Sequence, residues 1–120
     1  MAGGAAVSLA DTLAAVTRIP GVRGALVVSG RDGLVVAEAL MEGVDGRAVA
    51  ALTGSVAGRM LGLTGALGAP PPALLHLQAA EGALLAAYAP SGLLVVAVTA
   101  PDVNAGEVRL ALLQAAEHAA

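Results

Sequence analysis

Cysteine, lysine, tryptophan and phenylalanine are all missing from this 120-residue chain, and Tyr88 is its one Phe, Tyr or Trp residue. Each absence removes a class of function. Without cysteine there are no disulfides, no thiolate catalysis and no zinc–thiolate sites, and the redox compartment stays open. Without lysine there is no phosphate-cradling loop of the P-loop kind, so the protein is not itself a nucleotide-hydrolysing GTPase. The six basic residues are scattered arginines and the net charge is −3, which leaves no electrostatic footprint for nucleic acid or an anionic membrane. Charged residues make up 12% of the chain, about half the usual share.

What is present is small and apolar. The hydrophobic fraction is 58%, much of it alanine, and the mean hydropathy is +0.83. The length suits one domain with a single modest core. A monomer so poor in charge has little with which to cover its surface, so part of that surface is expected to meet a copy of itself or a partner. The N-terminal stretch "MAGGAAVSLADT" has neither a basic region nor a long apolar core, so no signal peptide is expected and a cytoplasmic setting is the default. Ala83 to Pro101 is uncharged and about as long as a membrane span, but Pro90-Ser91-Gly92 interrupts it where a helix would break and a hairpin would turn. No membrane insertion is expected.

The pattern reads as α-β-β-α-β-β-β-α. Ser8 or Asp11 can cap a first helix that ends near Arg18, before Pro20-Gly21. Arg23–Ser29 and Leu34–Ala39 read as strands joined through Arg31 and Asp32. Asp45 is a good N-cap for a long helix from Gly46 to Leu67, which "GAPPPA" then stops. Leu74–Ala79 alternates, with Leu75 and Leu77 on one side and His76 and Gln78 on the other, as in a half-exposed strand. "ALLAAY" and "LLVVAVTA" supply two more strands. Asn104, with Glu107 three residues on, resembles a capping box for a last helix whose buried stripe is expected at Val103, Leu110 and Leu113. Short turns between neighbouring strands imply antiparallel pairing, with helices packed on the sheet.

The long helix carries the most information. Val49, Leu52, Val56, Met60, Leu63 and Leu67 follow helical spacing and are expected to face the sheet. Ala51, Gly54, Gly58, Gly62 and Gly65 are expected to face outward, with almost no charge among them. Interior glycines cost about 1 kcal/mol each relative to alanine, so an exposed row of them would weaken the helix unless close packing returned the loss. The outward face is therefore expected to be a helix–helix interface.

The element order, "IPGVRGALVVSGRDGLVVAEAL" over the first hairpin, the long helix, and "PSGLLVVAVTAPDVNAGEVRLAL" near the end together resemble the roadblock/dynein light-chain family, from about Leu9 to Ala116. The resemblance implies a profilin-like fold: a five-stranded antiparallel sheet with the long helix on one face and the two terminal helices on the other. It implies a homodimer in which the strand after the long helix pairs edge to edge with its copy while two long helices lie side by side. It also implies, from bacterial MglB-like members, a regulator that docks a small Ras-like GTPase and modulates its nucleotide cycle, with the helix pair as docking surface. The alternative is a structural dimerisation module that recruits some other protein. With no sizeable extension after the last helix, docking is expected ahead of full regulatory activity. Residues carried over by position are chiefly Ala51, Ser55, Arg59 and Gly62 on the helix; with Gly54 and Gly58 of the glycine row and Leu75 and Leu77 on the strand they make up the expected dimer or partner interface. No catalytic residue, cofactor or metal is expected: the serines lack a local triad arrangement, and His76 and His118 lack a ligand cluster. Arg31-Asp32 reads as turn chemistry, with an arginine finger toward a partner GTPase as the competing reading.

Overall fold

The computed structural model describes residues 8–119. Residues 1–7 of the stretch read above for a leader lie outside them. The order of elements is α1 (Leu9–Thr17), β1 (Val22–Ser29), β2 (Val35–Leu40), α2 (Gly46–Ala66), β3 (Leu74–Ala79), β4 (Gly82–Tyr88), β5 (Leu93–Thr99) and α3 (Ala105–His118). The element order and most boundaries match the sequence reading to within a residue or two.

Side chains at the helix starts do what their residue types suggest. Ser8 Oγ accepts from the Asp11 N–H at 3.1 Å, Asp45 Oδ1 from Ala48 N–H at 3.1 Å, and Asn104 Oδ1 from Glu107 N–H at 3.1 Å. Each satisfies one N–H that the first helical turn leaves without a partner.

The five strands form one antiparallel sheet in the order β2-β1-β5-β4-β3. The uncharged stretch from Ala83 to Pro101 holds most of β4, a turn and β5, and no helix among the described residues is long and apolar enough to cross a membrane. Alternation along the strands builds two cores. Ala25, Val27, Leu85, Val95 and Ala97 face α1 and α3, meeting Leu13, Val16, Val108 and Leu112. Leu26, Val28, Leu75, Ala86, Leu94 and Val96 face α2. Because β1, β4 and β5 are covered on both sides, they read as near-continuous apolar runs.

The helix faces differ from the sequence reading in two places. In α3 the buried residues are Val108, Leu112, Ala115 and Ala116, while Leu110 is exposed. In α2 the fully buried residues are Gly46, Ala50, Thr53, Gly54 and Ala57, all small, while Val49, Val56 and Met60 pack half-buried against the same core, as expected. Leu52, Leu63 and Leu67, expected against the sheet, remain 67%, 50% and 72% exposed. Gly54, expected to face outward, is buried: a Cβ there would lie 2.9 Å from Gly33 Cα. The reason is distance. A helix lying this close to a sheet and to the β1–β2 loop has no room for leucine beneath it, so the small residues go in and the large ones turn aside.

Candidate functional site

The α2 side of the sheet is covered unevenly. The start of α2 lies over β2, where a Cβ on Gly46 would meet the Glu38 and Leu40 side chains. Gly54 and Ala50 then pack on Gly33 in the β1–β2 loop, beyond the other end of that strand. Further on, the Tyr88 hydroxyl donates to the Ala57 carbonyl at 3.2 Å and ties the middle of the helix to the end of β4. Burial of its ring edge raises the Tyr88 pKa above the ordinary phenol value by desolvation. Nothing comes within 4 Å of a Cβ placed on Gly58, Gly62 or Gly65, so the second half of α2 stands clear on that side.

Two surfaces result. The first is a leucine flank. Val49, Val56 and Met60 are half-buried at its edge, and Leu52, Leu63 and Leu67 stand exposed along it. On the sheet, the row on the α2 side that lies toward β3 is also incompletely covered: Leu84 and Val98 are half-buried and Leu77 is 45% exposed. Beyond Leu77 lies the outer edge of β3, which has no strand beside it among the described residues. Edge strands are commonly guarded by charge or proline, yet Leu74–Ala79 carries neither. The second surface is the outer face of α2, where Ala51, Ser55, Gly58, Arg59 and Gly62 are all exposed. It is flat, because only Arg59 has a long side chain.

These placements sort the residues singled out from sequence. Ala51, Ser55, Gly58, Arg59 and Gly62 share the flat outer face. Gly54 sits in the opposite contact, under the helix. Leu77 is exposed on the α2 side of the sheet, whereas Leu75 is buried in the α2 core. The leucine flank itself was missed. Its signal was present in the spacing of Gly46, Ala50, Gly54 and Ala57, a row of small residues at helical intervals that fits close approach to the sheet. That row sits on the opposite side from the one reasoning by size alone would bury.

The β1–β2 loop resolves in favour of turn chemistry. Gly33 takes φ +69°, and the Asp32 carboxylate accepts from Leu34 N–H at 3.3 Å, closing the turn locally. Asp32 itself keeps a negative φ, so glycine alone supplies the left-handed residue. Arg31 and Asp32 border a cleft of about 650 Å³ that also reaches Leu61, Pro71, Tyr88 and Ser91. Among the described residues, no group of three or more His, Asp or Glu side chains is placed to hold a metal ion.

The model of the Roadblock/LC7 domain matches residues 9–99. The chain belongs to the Roadblock/LC7 family. Its fold agrees with solved structures of roadblock domains. MglB from Myxococcus xanthus is 19% identical, with 93% of this chain and 94% of that one covered at a TM-score of 0.80. A Roadblock/LC7 domain from Streptomyces avermitilis is 17% identical, with 92% and 93% covered at 0.82. An MglB with a tetrameric arrangement is 26% identical, with 90% and 82% covered at 0.79. No curated protein sequence matches the chain. This roadblock domain therefore shares its architecture with MglB along nearly the whole length of both.

Proposed function

We propose that this roadblock domain is a homodimeric, non-enzymatic regulator that docks a small Ras-like GTPase in the cytoplasm and modulates its nucleotide cycle. The observation that carries the reading is that the exposed leucines of α2 and the exposed Leu77 of an uncharged outer strand lie on the same side of the sheet. A second copy related by a two-fold axis covers both at once: β3 pairs with β3, and the two α2 helices lie over the joint, flank to flank. Such an interface is self-complementary, as two-fold symmetry requires. The tetrameric MglB supports association through this fold.

Pairing two α2 helices places two flat outer faces side by side. Ala51, Ser55, Gly58 and Gly62 then present a surface with little side-chain entropy to lose, and Arg59 of each copy borders it. That surface suits a partner's mobile switch segments, since main chain can approach closely where side chains are short. The protein supplies position and contact, and the hydrolytic chemistry belongs to the GTPase. The membership in the family and the MglB-like fold support this assignment.

The test uses the purified Ras-like GTPase of the same organism. Hydrolysis and nucleotide-exchange rates are measured with and without saturating roadblock protein, and again with Arg59→Ala. A change in either rate that Arg59→Ala reduces supports the reading. Binding without any rate change favours a tether, and no binding in either nucleotide state returns the protein to a structural dimerisation module.

A further inference from the structure

The β3 edge fixes more than the fact of pairing. The Ala73 carbonyl accepts from Tyr88 N–H at 3.1 Å, and the β3–β4 register continues as Leu74↔Ala87, Leu75↔Ala86, His76↔Leu85 and Leu77↔Leu84. In an antiparallel ladder the residues that point their main chain at one neighbour alternate with those that point it away. Ala73, Leu75 and Leu77 therefore spend their N–H and C=O groups on β4. Leu74, His76 and Gln78 present theirs to the open edge.

A strand that pairs with its own copy has few registers to choose from. Setting His76 opposite His76 uses all three outward residues: Leu74 faces Gln78 of the second copy, His76 faces its equivalent, and Gln78 faces Leu74. Sliding by two residues in either direction leaves one outward residue of each strand without its full bonds. The same register lays Leu75 of one copy opposite Leu77 of the other on the α2 side, where the exposed Leu77 gains cover. Main-chain bonding and apolar burial choose the same alignment.

We propose that β3 pairs with β3 of a second copy in this register, so that the two His76 imidazoles meet on the two-fold axis and form a two-histidine site for a divalent late transition metal ion such as zinc. The inference rests on the homodimer proposed above. His76 is exposed on the α1/α3 side of the sheet, in the row of Leu85, and donates or accepts no side-chain hydrogen bond among the described residues. Opposed residues in a hydrogen-bonded antiparallel pair have Cα atoms about 5.5 Å apart. Two imidazole nitrogens bound to one zinc ion at about 2.0–2.1 Å each fall within reach of that separation. Water completes the coordination on the open side. Imidazole is a fitting donor for zinc, copper or nickel. The protomer alone holds one of the two ligands, so the site is complete only in the dimer.

The chain's lack of cysteine makes the register directly readable, since His76→Cys introduces the sole thiol. Opposed Cα atoms at about 5.5 Å lie within disulfide range, and mild oxidation should convert H76C to a covalent dimer. Leu74→Cys and Gln78→Cys, displaced along the strand from their own equivalents, should cross-link far less. Sedimentation of metal-free wild type first reports whether the dimer forms. Zinc chloride is then titrated into wild type and His76→Gln. At about ten times the site's dissociation constant, linkage predicts a roughly tenfold tighter wild-type dimer and an unchanged H76Q dimer. A metal-free monomer at all concentrations would overturn the homodimer itself. A stable dimer in which H76C fails to cross-link, or in which zinc acts equally on wild type and H76Q, would overturn this site and leave the homodimer standing.

Discussion

Replacing Leu52 by glutamate separates a leucine flank that is an interface from one that is merely exposed. Leu52 is 67% exposed on the isolated chain, so the substitution takes no core contact away. Surface changes of that kind usually stay within about 0.5 kcal/mol of neutral, and glutamate is a good helix former. The folded protomer should therefore keep its circular dichroism spectrum. In the proposed dimer the same side chain would meet the other subunit. Full burial of leucine is worth about 1.5–3 kcal/mol, and two-thirds of that remains to be gained, so each copy contributes about 1–2 kcal/mol. Two-fold symmetry counts the loss twice, giving about 2–4 kcal/mol, or roughly a thirtyfold to thousandfold weaker dimer. A desolvated carboxylate adds to the penalty. Sedimentation equilibrium of wild type and Leu52→Glu reads the difference. An unchanged association constant with an intact fold would refute the assignment of this flank.

Other substitutions test the packing that turned the leucines outward. Gly54→Ala should destabilise by about 1–2 kcal/mol, because a Cβ 2.9 Å from Gly33 Cα must displace main chain; Gly58→Ala, with open space around its Cβ, should raise the melting temperature through about 1 kcal/mol of helix propensity. Thermal unfolding of the pair should move in opposite directions. Among the described residues the buried Thr53 hydroxyl has no hydrogen-bond partner, so Thr53→Val should stabilise by about 1 kcal/mol in denaturant titrations. Tyr88→Phe should cost about 0.5–1.5 kcal/mol at neutral pH by losing the bond to the Ala57 carbonyl. The raised Tyr88 pKa means that folding favours the neutral phenol, so its contribution is complete below the unfolded value near 10 and is lost as pH rises through the folded one. Wild type should consequently lose more stability than Tyr88→Phe under strongly alkaline conditions.

The element order was legible because the stops are strong. Pro20-Gly21, Gly68–Ala73 and Pro90–Gly92 punctuate the chain, and Asp45 and Asn104 cap helices as their chemistry suggests. The face of α2 was not legible from size. Hydrophobic periodicity marks a face that leaves water, but it does not say whether the sheet or a second chain takes that face. Here Ala50, Gly54 and Ala57 claim the sheet, and Leu52, Leu63 and Leu67 are left exposed. In the β1–β2 loop, Asp32-Gly33 announced a turn, yet the pairing of Gly33 with Gly54 joins residues 21 positions apart that no local pattern connects. The free edge of β3 depends on strand order, which emerges only when the sheet is assembled. His76 acquires a possible partner only through symmetry, beyond any single-chain motif.

The central claim is that a dimer of this roadblock domain receives a small Ras-like GTPase on the paired α2 faces. Calorimetric titration of the purified GTPase, loaded with a non-hydrolysable GTP analogue or with GDP, into wild type and Leu52→Glu tests it most directly. The expected result is saturable binding to wild type that differs between the two nucleotide states and is lost or much weakened in the dimer-disrupted variant. Absence of binding to wild type in both states, or equal binding to the monomeric variant, would contradict it.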